Sequence, residues 1–204
     1  MDYKETVRSG YNAIANKYLE KRTKIPKNVQ LLDAFINKLS MGAKVLDAGC
    51  GAGIPVAQIL SQIFTVIGVD ISEAQVELAK KNIPNATFIC QDMTQLDFPE
   101  NHFDGICSYY AIIHIPREEH RGLLENFYHM LKPGGITLLC LGADDLQNDT
   151  HSFHGHQMYW SHFDANTNQS MLEDIGYSIL LSKIIPDETY NGKHLFVLAQ
   201  KSVI

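Results

Sequence analysis

Apolar positions in the first forty residues recur with a helical period, and afterwards they come in short unbroken runs. Over residues 3–22, Tyr11, Ile14, Ala15, Tyr18 and Leu19 fall at i, i+3, i+4, i+7 and i+8, one face of a helix. Pro26 opens a second predicted helix carrying Val29, Leu32, Ala34, Phe35, Ile36 and Leu39. From Lys44 the pattern becomes strand–helix alternation. Strands are predicted at Lys44 to Asp47, Thr65 to Asp70, Thr87 to Cys90, Phe103 to Tyr109 and Ile136 to Leu141. A helix-compatible stretch, Ile54 to Ile63, follows the first strand. Another begins at Ser72, where Ser72 and Gln75 fit a capping box ahead of Ala74, Leu78 and Ala79. A third begins at Pro116, turns Leu123, Leu124, Phe127 and Leu131 inward, and stops at Lys132-Pro133-Gly134-Gly135.

Repeated strand–helix units imply a parallel sheet with right-handed crossovers. The end of the chain breaks that rhythm. After a helix near Asn166 to Asp174, two strands, Tyr177 to Ile185 and His194 to Gln200, are joined only by Pro186 to Lys193. So short a link makes them antiparallel, because a parallel return needs a crossover. The expected fold is therefore α/β, a three-layer α-β-α sandwich whose mostly parallel seven-stranded sheet ends in an antiparallel hairpin. Its 204 residues suit one domain with a sizeable core. That domain divides into an N-terminal helical part (1–40), a strand–helix core (41–141), a long connection (142–165), and a final helix and hairpin (166–204).

Charge and cysteine content narrow the setting. The net charge is −6, and the densest basic stretch, Lys17 to Lys27, also holds Glu20. That disfavours a nucleic-acid partner, which wants a basic surface. Cys50, Cys90, Cys107 and Cys140 are far apart and lie in or just after predicted buried strands. Neither a zinc site nor a disulfide framework is suggested, and a reducing, cytoplasmic setting fits. The N-terminus has no apolar core of a signal peptide, and no run is long enough to cross a membrane.

The richest stretch is Val45-Leu46-Asp47-Ala48-Gly49-Cys50-Gly51-Ala52-Gly53. A buried strand ends in an acid, and glycine then takes every second place. That is a tight turn letting the backbone approach a ligand, with a helix N-terminus above it. The dinucleotide pattern G-x-G-x-x-G fails at Ile54, and no Gly-Lys-Ser/Thr follows for a phosphate loop. Ligands in open α/β sheets sit beyond the carboxyl ends of the strands. Asp70, ending the second strand, is placed to accept hydrogen bonds from adjacent ribose hydroxyls.

The run Asp47-x-Gly49-x-Gly51-x-Gly53 resembles motif I of class I S-adenosylmethionine-dependent methyltransferases, which also end in an antiparallel hairpin. Phe103-Asp104 with Leu131-Lys132-Pro133-Gly134-Gly135 resembles the small-molecule, UbiE-like branch of that family. The resemblance implies S-adenosylmethionine as cofactor, held by Asp47, Gly49, Gly51, Gly53, Asp70, Ile71, Asp92, Met93 and Ser108. Asp92 would take the adenine amine, Asp47 would lie near the methionine ammonium, and the backbone at Ser108-Tyr109 would face the methionine moiety. Tyr11 to Tyr18 resembles a lid helix, with Tyr11 and Tyr18 closing over the methionine end.

The acceptor side is less legible. Ser108-Tyr109-Tyr110-Ala111 lacks the Asn/Asp-Pro-Pro-aromatic motif of nucleic-acid amino-methylating enzymes. The connection 142–165 is long enough to be a functional cap. His151 to Phe163 gathers histidines around Met158-Tyr159-Trp160, so Tyr159, Trp160, His154 and Tyr110 are expected to meet the acceptor. His114 and His162 are the candidate bases, with His154 a further one, since neutral imidazole accepts protons near pH 7. His151, His154 and His156 lack the spacing of a known zinc motif, and no metal is expected. The expected activity is methyl transfer to a small molecule by a monomer or homodimer. The alternatives are a non-catalytic S-adenosylmethionine-binding regulator and a nicotinamide-dependent oxidoreductase.

Overall fold

Val45, Leu46 and Ala48 of strand β1 (Lys44–Ala48) are fully buried, as a strand covered on both faces must be. The computed structural model describes residues 2–24, 29–187 and 192–203. Around β1 stand β2 (Thr65–Asp70), β3 (Thr87–Cys90), β4 (Phe103–Ser108) and β5 (Leu131–Gly142), all parallel, followed by β8 (Tyr177–Asp187) and β9 (Gly192–Lys201). The order is β3-β2-β1-β4-β5-β9-β8, with β9 antiparallel to both neighbours. Helices α2 (Leu32–Ile36), α3 (Val56–Leu60) and α4 (Glu73–Asn82) supply Phe35, Leu60 and Val76 to the core on one face. Helices α5 (His120–Met130) and α6 (Ala165–Ile175) supply Phe127 and Leu172 to the other. The result is the expected three-layer sandwich. Strand order reverses between β1 and β4, so a crevice opens beyond their carboxyl ends.

Several elements differ from expectation. Pro26 lies outside the described residues, and the second helix is only Leu32–Ile36. The helix after the glycine turn is also one short turn, Val56–Leu60, with Pro55 at its N-cap. Lys132-Pro133-Gly134-Gly135 stops α5 but continues as extended backbone of β5, where pairing with β4 slips between Phe103 and Gly105. Three cysteines are buried as expected, but Cys90 is exposed, because β3 is an edge strand. Ser72 accepts from the Gln75 backbone N–H at 3.2 Å, but its own N–H donates to Asp70, so the box is only half made.

The largest difference is at 142–165, expected as a loop. It folds into a hairpin of β6 (Leu146–Phe153) and β7 (His156–His162). His154 and Gly155, both with positive φ (56° and 93°), make its two-residue turn. Helix α1 (Tyr3–Lys24) lies on β7, where Val7 and Ile14 pack on fully buried Met158 and Tyr159. The Tyr3 and Tyr159 rings stack at 4.2 Å. Gly10 permits the approach, since a Cβ there would stand 2.9 Å from Met158 Cε and 3.0 Å from the Gln157 carbonyl oxygen. On its other side α1 is tied to α4: Asn12 Oδ1 accepts from Ser72 Oγ (2.6 Å) and from the Ala74 N–H (3.1 Å). Helix and hairpin together roof the crevice.

Candidate active site

The floor of the crevice is the glycine turn. Gly49, Gly51 and Gly53 have φ of 80°, 53° and 78°, a region that L side chains rarely adopt. Their surroundings differ. A Cβ on Gly49 would lie 2.1 Å from Ala111 Cβ, and one on Gly53 would meet Ile83 Cδ1 at 2.8 Å. Gly49 and Gly51 line a cavity; Gly53 does not, and packs beneath the turn on α4 instead.

Two carboxylates, Asp70 and Asp92, line this cavity, and a third, Asp47, stands beside it. Asp70 Oδ2 accepts from the Gly51 N–H at 2.8 Å and Oδ1 from the Ser72 N–H at 2.9 Å. Burial holds its carboxyl above the usual range against those bonds. Asp92 Oδ1 accepts from the Thr94 N–H (2.9 Å), and Oδ2 faces Lys4 Nζ, also at 2.9 Å. Lys4 further donates to Thr94 Oγ1 (2.7 Å) and Glu119 (2.6 Å), latching the start of α1 to the rim. Asp47 is 1% exposed. Its Oδ1 accepts from the Cys107 thiol, and Oδ2 has no partner among the described residues. Burial pushes its carboxyl up to about 7, which the Cys107 hydrogen bond only partly opposes. Asp47 faces an adjoining smaller cavity with Tyr18 and Arg22.

Ile71, Met93, Tyr11, Tyr18, Tyr110 and His114 also line the first cavity. Ser108 is buried and lines neither; its neighbour Tyr109 takes that place and donates its hydroxyl to the Gln30 carbonyl at 2.8 Å. A second cavity, of about 290 Å³, opens between α1, the β6–β7 hairpin and the β8–β9 end. Tyr11, Tyr18, Tyr110 and His114 line both cavities. His114 is fixed between two partners. Its Nδ1 donates to the Tyr159 carbonyl (2.7 Å), so Nε2 accepts from the Tyr11 hydroxyl (3.0 Å). Burial lowers its pKa to about 4 despite the Tyr159 bond, so the ring is neutral at pH 7.

The acceptor-side candidates scatter. Trp160 and Tyr110 line the second cavity; His162, Tyr159 and His154 do not. His162 Nδ1 donates to the Asp144 carbonyl at 2.7 Å, under the end of β5. Tyr159 is fully buried, with its hydroxyl on Asn148 at 2.6 Å. His154 sits in the hairpin turn against Phe153. The strand period separates Trp160 from Tyr159, because alternate residues of β7 face opposite ways. His162 shares Trp160's face but sits at the end of the strand, held on Asp144. Among the described residues no group of three or more His, Cys, Asp or Glu is placed to hold a metal ion. Lys4, Gln75, Arg22, Asp187 and His194 line the cavities without having been expected. Gln75 was visible as a capping-box residue, and its buried side-chain amide has no partner among the described residues.

Residues 45–135 match a methyltransferase domain family. A sterol 24-C-methyltransferase of Pneumocystis carinii is 40% identical over 104 residues, which are 47% of this chain and 26% of that protein. The chain thus spans about a quarter of the curated relative it matches there. Among solved structures, the 1,6-didemethyltoxoflavin-N1-methyltransferase of Burkholderia thailandensis superposes with a TM-score of 0.78 at 21% identity, covering 98% of this chain and 89% of that one. The magnesium protoporphyrin IX methyltransferase of Synechocystis PCC 6803 superposes with 0.73 at 21%, covering 99% and 98%. The former was solved with bound 1,6-didemethyltoxoflavin and S-adenosylhomocysteine, the latter with S-adenosylmethionine. Sheet order, glycine turn and family match together define a class I methyltransferase fold. Within that fold, residues 45–135 of this chain are similar to a methyltransferase domain.

Proposed function

We propose that the protein binds S-adenosylmethionine in the first cavity and transfers its methyl group to a small molecule held in the second. The observation that carries this reading is the shared boundary: Tyr11, Tyr18, Tyr110 and His114 face both spaces. The donor groups suit the cofactor. Asp70 keeps lone pairs for two ribose hydroxyls beyond its backbone bonds, Asp92 suits the adenine amine, and the orphan Oδ2 of Asp47 suits an ammonium. Ile71 and Met93 would flank the base, and the Gln75 amide offers a further polar contact. When bound, the cofactor supplies an electrophilic methyl group, which an acceptor lone pair takes as the carbon–sulfur bond breaks and its electron pair stays on sulfur.

Catalysis then rests on placement, because in-line displacement gains most from near-attack geometry. The Tyr11–His114 pair holds its hydrogen bond at the boundary and orients the acceptor. A histidine kept neutral down to about pH 4 is a weak proton acceptor, so we assign His114 to positioning rather than to strong general-base work. His162 lies outside both cavities, and we give it no role. No described helix is long and apolar enough to cross a membrane. The net charge of −6 and the unpaired thiols support a cytoplasmic setting without nucleic-acid partners. A monomer or homodimer is our working assembly, to be read by light scattering.

The test is incubation with cofactor labelled on the methyl group and a fractionated small-molecule extract, beside calorimetry with S-adenosylhomocysteine and NAD. Label in a small-molecule product supports the reading. Binding without transfer to any fraction would leave the regulatory alternative, and NAD binding without S-adenosylhomocysteine binding would leave the oxidoreductase.

A further inference from the structure

The second cavity has a shape and chemistry of its own. An apolar cavity of about 150 Å³ holds one benzene ring. At about 290 Å³ this one holds two rings with little to spare. One wall is an unbroken arc of aromatic side chains. Phe153 stands 6.4 Å from Tyr11, 6.1 Å from Tyr18 and 5.9 Å from Trp160 (ring centroids), and His151 stacks on Trp160 at 3.8 Å. Tyr110 also lines the cavity, edge-on to His194 at 5.0 Å, with the Asp187 carboxylate 3.4 Å from His194 Nε2. The Asp187 side chain is 8% exposed. Lys21 and Arg22 of α1 also line it; the Arg22 guanidinium lies over the Tyr110 ring at 5.4 Å.

A lining so rich in aromatic rings favours a flat ring over a flexible or saturated one, by about 0.5–1.5 kcal/mol per ring pair beyond area burial. A buried carboxylate accepts hydrogen bonds and gives none. We propose that this cavity selects a flat, two-ring aromatic or heteroaromatic molecule that presents an N–H or O–H edge to Asp187. The inference rests on reading this cavity as the acceptor site. It also predicts weaker binding of sterol-sized acceptors. Leu146, His151, Phe153, Trp160, Asp187 and His194 all lie outside residues 45–135, so the family match reaches only the Tyr110–His114 side of this cavity.

Trp160 is the chain's one tryptophan and lies in the wall, so its fluorescence reports occupancy directly. The probes are 2-naphthol, 2-methoxynaphthalene, decahydro-2-naphthol and lanosterol. The first two are read by Trp160 quenching, and the last two by displacement of 2-naphthol. Each is run with and without saturating S-adenosylhomocysteine, whose own binding is followed by calorimetry. The expected result is that 2-naphthol binds at least about tenfold more tightly than the other three, as one charge-assisted hydrogen bond or lost stacking would give. Asp187→Asn should bring 2-naphthol close to 2-methoxynaphthalene and leave the latter unchanged. Phe153→Leu should weaken both aromatic probes, and it keeps the test decisive if Asp187→Asn does not fold. Equal or tighter binding of decahydro-2-naphthol or lanosterol overturns the proposal, as does an Asp187→Asn variant that still separates the two naphthalenes. Failure of S-adenosylhomocysteine to bind wild type overturns the functional reading instead, and the ring selectivity is still decided by the arm without it.

Discussion

Asp70→Asn separates a ligand-binding carboxylate from one that only shapes a turn. In the structure both oxygens are engaged by backbone N–H groups, at 2.8 Å from Gly51 and 2.9 Å from Ser72. Each retains a lone pair toward the first cavity. The amide keeps one acceptor oxygen and sets a donor against one of those N–H groups. One ribose hydrogen bond to a charged group is lost, about 1.5–3 kcal/mol, so the dissociation constant for S-adenosylhomocysteine should rise about 10- to 100-fold. Stability should change less. The misplaced donor destabilises the turn, but an amide also removes the cost of ionising a carboxyl that burial holds above its usual range. Calorimetric titration of both proteins with S-adenosylhomocysteine, beside thermal unfolding without ligand, measures the two effects separately. An affinity within threefold of wild type, in a protein that unfolds at the same temperature, would refute the assignment of Asp70 to the ribose.

Asp47, held up to about 7, should release close to one proton when a cationic ammonium binds at pH 6; titrations in buffers of different ionisation enthalpy detect it, and Asp47→Asn should abolish it. Because burial raises that pKa, the group's contribution to stability is complete below about pH 4 and is lost as pH rises through about 7, so denaturant midpoints should fall over that window in wild type and less in Asp47→Asn. Tyr11→Phe should lower turnover of the identified acceptor about tenfold or more with cofactor affinity nearly unchanged, and at saturating cofactor the wild-type rate should show no inflection near pH 6.5, since burial lowers the His114 pKa to about 4. Gly53→Ala should lower thermal stability by about 1–3 kcal/mol, a drop of several degrees, because its Cβ meets Ile83 and its φ is 78°; an unchanged midpoint would show that the turn relaxes freely.

The core and the cofactor side were legible from residue order because their signals are local. Strand runs such as Thr65–Asp70 and Thr87–Cys90, the glycine spacing and the acids at strand ends depend on periodicity and turn chemistry within a few residues. So does the terminal hairpin, since a short link leaves one geometry. Among the described residues the second helix and the helix after Pro55 are shorter than expected, since an apolar stretch says little about how many turns hydrogen-bond.

The acceptor side was decided by tertiary contact. Strand β6 is mostly polar and exposed and carries little signal of its own; it forms because β7 finds α1, through Met158 and Tyr159 against Val7, Gly10 and Ile14. Once β7 is a strand, its alternation sends Trp160 toward the cavity and buries Tyr159 away from it, a sorting that histidine and aromatic content cannot reveal. Asp187 and His194, far along the chain from the hairpin, reach the same space only because β8 and β9 pair beside β5. Local order thus specified the sheet and the acids at its edge, while the shape of the second cavity depends on which faces long-range packing covers.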